Sequence, residues 1–151
     1  MNFVTSRAQR GVTLIELMMV VTILAIIAGI AVPSYRKYLL RSQRSEAKIA
    51  LLQLQTAEEK YYLQNNSYTE NVKAASPTGL GLPGISETGK YDITVTVSAD
   101  EAGTEAQKFV ATASARSGGG QQDDTDCGSF KIDERGTRTV SGGYTPEQCW
   151  K

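Results

Sequence analysis

Val-Thr-Leu-Ile-Glu-Leu-Met-Met-Val-Val-Thr-Ile-Leu-Ala-Ile-Ile-Ala-Gly-Ile-Ala-Val-Pro, residues 12–33, is apolar from end to end apart from a single ionisable side chain, Glu16. About 20 residues at about 1.5 Å each cover the roughly 30 Å hydrocarbon core of a bilayer, so the stretch is long enough to span a membrane as a helix. The apolar core of a cleaved signal peptide is usually about 7–15 residues, shorter than this run. Ala28, Gly29 and Ala31 are followed by a polar helical pattern, not by a cleavage site, so the segment is expected to stay in the chain.

Glu16 asks for an explanation, because a carboxylate at the centre of a membrane helix costs about 2.5–3.5 kcal/mol on insertion scales and less near an end. Two readings stand. Thr13 and Glu16 have the spacing of a capping box, in which threonine and glutamate satisfy free N–H groups at a helix start and the carboxylate meets the positive end of the dipole. Alternatively, Glu16 pairs with a cation of another chain inside an apolar bundle and sets the register of assembly.

Working outward, Arg7 and Arg10 precede the helix, and Arg36, Lys37, Arg41 and Arg44 follow it. The positive-inside rule would by itself favour placing the downstream side in the cytoplasm, against the export-type N-terminus. Pro33 removes a helical hydrogen bond and crowds the preceding turn, so a kink or loosened turns are expected there. Beyond it, Ala47, Ala50, Leu51, Leu54, Ala57, Glu58 and Tyr61 recur at spacings of three and four, which predicts an amphipathic helix to residue 64 laid on a sheet. Lys48, Gln55, Glu59 and Lys60 face water in this reading. Tyr61, Tyr62 and Tyr68 are read as packing where the helix ends.

Residues 65–90 hold Asn65, Asn66, Pro77, Gly79, Gly81, Pro83 and Gly84, the residues of loops and turns. From Tyr91 to Ser98 apolar and polar residues alternate, predicting a strand with Tyr91, Ile93, Val95 and Val97 inward. A second strand is expected over Lys108–Arg116, with Phe109, Ala111, Ala113 and Ala115 on one face and Ala99–Gln107 as a polar connection. Residues 117–126 read as a flexible acidic link. Gly118–Gly120 lack a following Gly-Lys-Ser/Thr, so no phosphate loop is expected. Asp123, Asp124 and Asp126 do not have the spacing of a calcium loop, and no metal site is expected. A third strand is placed at Cys127–Asp133 and a short fourth at Thr137–Val140, after which the tail returns to the sheet.

The chain carries 16 basic and 16 acidic side chains and no histidine. Histidine is the commonest general base and metal ligand, so its absence argues against an enzyme, and no cofactor is expected. Residues 65–151 carry eight basic and twelve acidic side chains, a charge of 8 − 12 = −4, which weighs against nucleic acid as the main partner. Cys127 and Cys149 could form a disulfide, two buried thiols or half of a metal site. A structural zinc lacks ligands here, and an exported domain meets an oxidising compartment, which favours the disulfide. Such a bridge would enclose 149 − 127 − 1 = 21 residues.

The run Arg10-Gly11-Val12-Thr13-Leu14-Ile15-Glu16-Leu17 is similar to the cleavage motif of class III signal sequences in type IV pilins and type II secretion pseudopilins. The resemblance implies that prepilin peptidase cuts after Gly11 and methylates Val12, leaving a chain of 151 − 11 = 140 residues. It implies that Glu16 attracts the α-amino group of Val12 in a neighbouring subunit, and that the stretch at Pro33 can unwind in the filament. Phenylalanine most often stands where this chain has Val12, and glycine often where it has Ala25, so a shorter melted stretch is implied. Tyr61-Tyr62-Leu63-Gln64-Asn65-Asn66-Ser67-Tyr68-Thr69 and the terminal Cys149-Trp150 resemble PilE-like minor pilins, and Cys127–Cys149 resembles their disulfide-bounded C-terminal region.

The expected fold is therefore α+β, a pilin fold. It has a cleaved basic leader (1–11), a transmembrane and filament-core helix (12–33), its amphipathic continuation (34–64), an αβ loop (65–90) and a sheet of about four antiparallel strands with a disulfide-bounded region (91–151). The implied function is that of a structural, minor pilin in a type IV pilus, supporting biogenesis, twitching motility and adhesion. The implied partners are other pilin subunits, the inner membrane before assembly, prepilin peptidase and the assembly machinery. The precursor is expected in the inner membrane with its head in the periplasm, and later in the extracellular pilus. DNA-uptake minor pilin and type II secretion pseudopilin are the alternatives within the superfamily, DNA being the less favoured partner; the cysteine pair argues against the pseudopilin, and a helix-tethered enzyme lacks a catalytic constellation.

Overall fold

The longest element, α1, spans Leu14–Asn65 and contains Pro33 within an uninterrupted helical run. It starts at Leu14 because Thr13 caps it: the Thr13 hydroxyl accepts from the Glu16 N–H at 3.3 Å and its carbonyl from the Leu17 N–H at 3.2 Å. It stops at Asn65 because Asn66 adopts φ 55°, a left-handed conformation asparagine tolerates, and donates its N–H to the Tyr62 carbonyl. The computed structural model describes residues 11–99 and 108–151. Arg7 and Arg10 of the leader and most of the Ala99–Gln107 connection lie outside the described residues.

The chain divides into two units, Met1–Tyr38 and Leu39–Lys151. In the first, the described side chains are solvent-facing, with Val12 through Val32 exposing between 49% (Val20) and 76% (Leu14) of their large apolar groups. Polar side chains here bond back onto their own helix: Thr22 Oγ1 donates to the Met18 carbonyl at 2.8 Å and Ser34 Oγ to that of Ile30 at 3.1 Å. These bonds satisfy their hydroxyls without a partner outside the helix.

In the second unit, the part of α1 after Tyr38 buries Arg44, Ala47, Leu51, Leu54 and Glu58, one stripe at spacings of three and four. This stripe shares its core with a four-stranded antiparallel sheet made of β1 (Tyr91–Ser98), β2 (Lys108–Ala115), β3 (Phe130–Asp133) and β4 (Arg138–Val140), in that spatial order. The β1–β2 register runs from Tyr91↔Ala115 to Ser98↔Lys108, as expected of a hairpin. Tyr91, Ile93, Val95, Phe109, Ala111, Ala113, Phe130 and Ile132 are buried, each large apolar group contributing roughly 1.5–3 kcal/mol. Tyr68 stacks on Tyr62 and meets the edge of Phe109 at 4.8 Å, closing the core where α1 ends.

Both long edges of the sheet are covered. Outside β1, Ile85 bridges Asp92, the Ile93 N–H donates to the Gly84 carbonyl, and the Val97 N–H donates to the Glu70 carboxylate at 3.0 Å. Outside β4, the chain forms a one-turn helix, α2 (Pro146–Cys149), and Trp150 Nε1 donates to the Thr139 carbonyl at 3.4 Å.

Two expectations are corrected. The third strand begins at Phe130 and the fourth at Arg138. Cys127–Ser129 is held in a turn, with Gly128 at φ 61° and its N–H on the Asp124 carbonyl. A Cβ at Gly128 would come within 2.6 Å of Ser141 Oγ, so glycine is required there. The tail returns to the sheet as expected, at β4, and does so through a helical turn in which Thr145 and Gln148 form a capping box with Pro146 in the first turn. Residues 117–126 are no flexible link: they include a 3₁₀ turn at Gln121–Asp123 with Gln121 and Asp124 buried, held by the ion pair described below.

Candidate functional site

Of the residues singled out in the sequence, Gly11, Val12, Glu16 and Pro33 lie in the first unit and Cys127 and Cys149 in the second. Gly11, Val12 and Glu16 are exposed at the start of the helix, Val12 by 73%. Glu16 occupies the first helical turn, where the dipole favours a carboxylate, and its N–H completes one half of the capping box. The apolar surface downstream is far larger than soluble chains leave open, so it requires lipid or other helices to cover it. Its length and composition suffice to cross a membrane.

In the head, Cys127 and Cys149 are joined, with their Cα atoms 5.8 Å apart, and both are buried. Beside them lies a group that the sequence reading missed. Arg44 Nε and Nη2 each donate at 2.7 Å to the two carboxylate oxygens of Asp124, and Asp126 stands 3.5 Å away. The side chains are 8% and 1% exposed, so this is a buried bidentate pair. Gln121 Nε2 donates to Asp124 at 3.3 Å and to the Leu40 carbonyl at 3.1 Å, fastening the 117–126 segment to the helix. Asp124 thereby serves a guanidinium, and among the described residues no group of three or more potential ligands could hold a metal ion. The hydrogen bonds that Arg44 donates to Asp124 and burial act oppositely on the guanidinium; the bonds prevail and raise it above the ordinary arginine value.

Glu58 is the second buried charge. Its Oε2 accepts from the Thr69 N–H at 3.2 Å, while Oε1 has no hydrogen-bond partner among the described residues. Burial, against the Thr69 bond and with the help of Glu59, pushes its carboxyl up to about 7. Glu46 shows the contrary outcome: it accepts from Ser86 Oγ, Thr88 N and Thr88 Oγ1, and those bonds outweigh burial and hold it below the usual carboxylate range. Glu46 thus ties the 65–90 loop to α1.

The cations are unevenly placed. Arg138 lies with its Cζ 5.0 Å above the Trp150 ring, and Trp150 meets the edge of Phe130 at 5.7 Å. Lys48 Nζ donates to the Lys151 carbonyl. Burial, and then the like charges of Arg44 and Arg138, hold the Lys48 ammonium below the ordinary lysine value.

A family model described as type IV minor pilin ComP, DNA uptake sequence receptor, matches residues 33–131, and one described as the prokaryotic N-terminal methylation motif matches residues 6–32. The fimbrial protein EcpC of Eikenella corrodens is 40% identical over 115 residues, 75% of this chain and 67% of that protein. The type IV major pilin protein PilE1 of Neisseria gonorrhoeae is 40% identical over 89 residues, 59% of this chain but 40% of that protein, so the chain spans well under two thirds of this relative. Among solved structures, the non-core minor pilin PilV of Neisseria meningitidis superposes with a TM-score of 0.49 at 18% identity, over 71% of this chain and 97% of that one.

Proposed function

This chain belongs to the family described as type IV minor pilin ComP, DNA uptake sequence receptor, and from that premise we propose that it is a minor subunit of a type IV pilus, built into the filament through residues 12–33. The observation that carries the reading is a match to the methylation motif over residues 6–32, within which an apolar helix begins whose described side chains are exposed. Prepilin peptidase cuts after Gly11 and methylates the amine of Val12. The precursor waits in the inner membrane with its head in the periplasm, then leaves lipid for a bundle of like helices and becomes part of the extracellular pilus. Van der Waals packing of Val12–Val32 drives that exchange, and Glu16 sets the register by pairing with the amine of Val12 on a neighbour. Pro33 marks where α1 loosens during assembly. The role is structural, serving pilus biogenesis and the motility and adhesion that pili support.

A second reading is favoured by the match over residues 33–131: the head is a receptor for duplex DNA. The net charge of −4 over residues 65–151 weighs modestly against it, but a local gathering of cations can bind a polyanion on an acidic head.

Mass spectrometry of filaments sheared from cells tests the main reading. The expected species begins at methylated Val12 and is present at low abundance relative to a major pilin. Recovery of this chain only in the membrane fraction with residues 1–11 attached would overturn it.

A further inference from the structure

We propose that Tyr35, Lys37 and Tyr38 form an anchor that holds anionic phospholipid headgroups at the outer surface of the inner membrane and fixes how deep the precursor sits there. The inference rests on the membrane reading above and adds to it the residues that meet the lipid.

The apolar run ends at Pro33, and the next turn of α1 changes character at once. Ser34, like Thr22 before it, returns its hydroxyl to a carbonyl of its own helix. Tyr35, Lys37 and Tyr38 do not: their polar ends have no hydrogen-bond or ion-pair partner among the described residues. Tyr35 is 65% exposed and Tyr38 70%, so two large amphipathic rings stand clear of the protein just past the span. They are three positions apart and share a face of α1, while the exposed Lys37 projects from another side. All three belong to the first unit, and the helix that carries them is continuous with the apolar segment.

A lipid surface suits this arrangement. Tyrosine favours the boundary between hydrocarbon and water, where its ring is covered and its hydroxyl stays wet. A lysine there lays its stem along the acyl chains and lifts its ammonium to the phosphates. The spacing along α1 fits as well. Tyr35 lies 35 − 16 = 19 positions after Glu16, about 28 Å of helix against a hydrocarbon core of roughly 30 Å. With the tyrosines at one interface, Glu16 therefore reaches the other and avoids the depth where a carboxylate costs most. A slide of two turns, about 11 Å, toward the head would draw Glu16 into the hydrocarbon. The opposite slide would drag Lys37 and both tyrosine hydroxyls into it. Depth is thus held from both ends, and the Gly11–Val12 bond stays at the surface opposite the anchor. Lys37 also gains a task that explains a cation placed against the positive-inside rule.

The test reconstitutes the full chain, residues 1–11 included, into vesicles with equal shares of phosphatidylcholine and phosphatidylglycerol. Native mass spectrometry after mild detergent extraction counts the lipids retained. Wild type should retain phosphatidylglycerol in preference, and Lys37→Gln should cut that preference about fivefold, the factor one lysine contributes near an anionic surface. Lys60→Gln, which removes an exposed cation of the second unit, should leave it unchanged. Depth is read separately from Tyr35→Trp, after subtraction of the Trp150 emission that wild type shows. Lipids brominated near the headgroup should quench the new tryptophan more strongly than lipids brominated at the chain ends. A wild type without preference, a preference unmoved by Lys37→Gln or lowered equally by Lys60→Gln, or quenching strongest at the chain ends would overturn the anchor and leave the membrane reading standing. An unmoved preference is the result expected if these residues meet a neighbouring subunit instead. A chain that fails to float with the vesicles would overturn the membrane reading itself.

Discussion

Replacing Glu58 with glutamine should abolish a pH dependence that the structure builds into the head. The carboxyl is completely buried, has one bond to the Thr69 N–H and leaves Oε1 unpaired, which raises it from 4.5 to about 7. At about 1.4 kcal/mol per pH unit, that difference makes the ionised form cost about 3 kcal/mol of stability. Between 4.5 and about 7 the native chain holds a proton that the unfolded chain has released, so stability is full below that window and falls as pH rises through it. Above it the loss is complete. Glu58→Gln keeps an oxygen for Thr69 and carries no charge, so its stability relative to wild type should rise by about 3 kcal/mol between pH 4 and pH 8. The assay is urea unfolding of the full chain in detergent at a series of pH values, followed by the emission of Trp150, the single tryptophan of the chain. Comparing the variant with wild type cancels the titration of Glu46 and the other carboxylates. A difference that stays constant across this range would refute the assignment.

Asp124→Ala should destabilise the head by about 3 kcal/mol, since it removes the bidentate partner of the buried Arg44 guanidinium and leaves only Asp126 at 3.5 Å, and the same urea series measures it; a loss below about 0.5 kcal/mol would show that Asp126 or water replaces Asp124. Removing the disulfide by Cys127→Ser with Cys149→Ser should cost about 3 kcal/mol on the chain-entropy account of a loop this size, read as a lower unfolding midpoint. Glu16→Ala should leave cleavage after Gly11 intact and lower the amount of chain in sheared filaments, quantified by immunoblot; undiminished incorporation would leave Glu16 with its cap role alone.

The elements that were legible in the sequence are those whose burial follows a simple period. Tyr91-Ile93-Val95 alternate because β1 has one wet face, and Leu51-Leu54 recur because α1 has one dry stripe, so pattern and packing coincide. Arg44 belongs to that same stripe, three residues before Ala47, but a cation there reads as a surface charge following a membrane helix. Its burial depends on Asp124, eighty residues away, and no local pattern encodes such a partner. The α2 helix did carry a local signal, Thr145-Pro146-Glu147-Gln148, a capping box of one turn that apolar periodicity is too coarse to detect. Cys127–Ser129 failed as a strand because Gly128 takes a left-handed φ, which alternation cannot reveal. Over residues 12–33, length and composition alone marked a helix long and apolar enough to cross a membrane.

The covered sheet margins have a consequence for how such molecules polymerise. Strand addition is the commonest accidental route by which crowded β-proteins stick together, and here Glu70 on one flank and Trp150 on the other occupy backbone groups a stray chain would need. Cross-β ladders are thereby disfavoured at both margins of the head, because the backbone groups that would seed them already have partners.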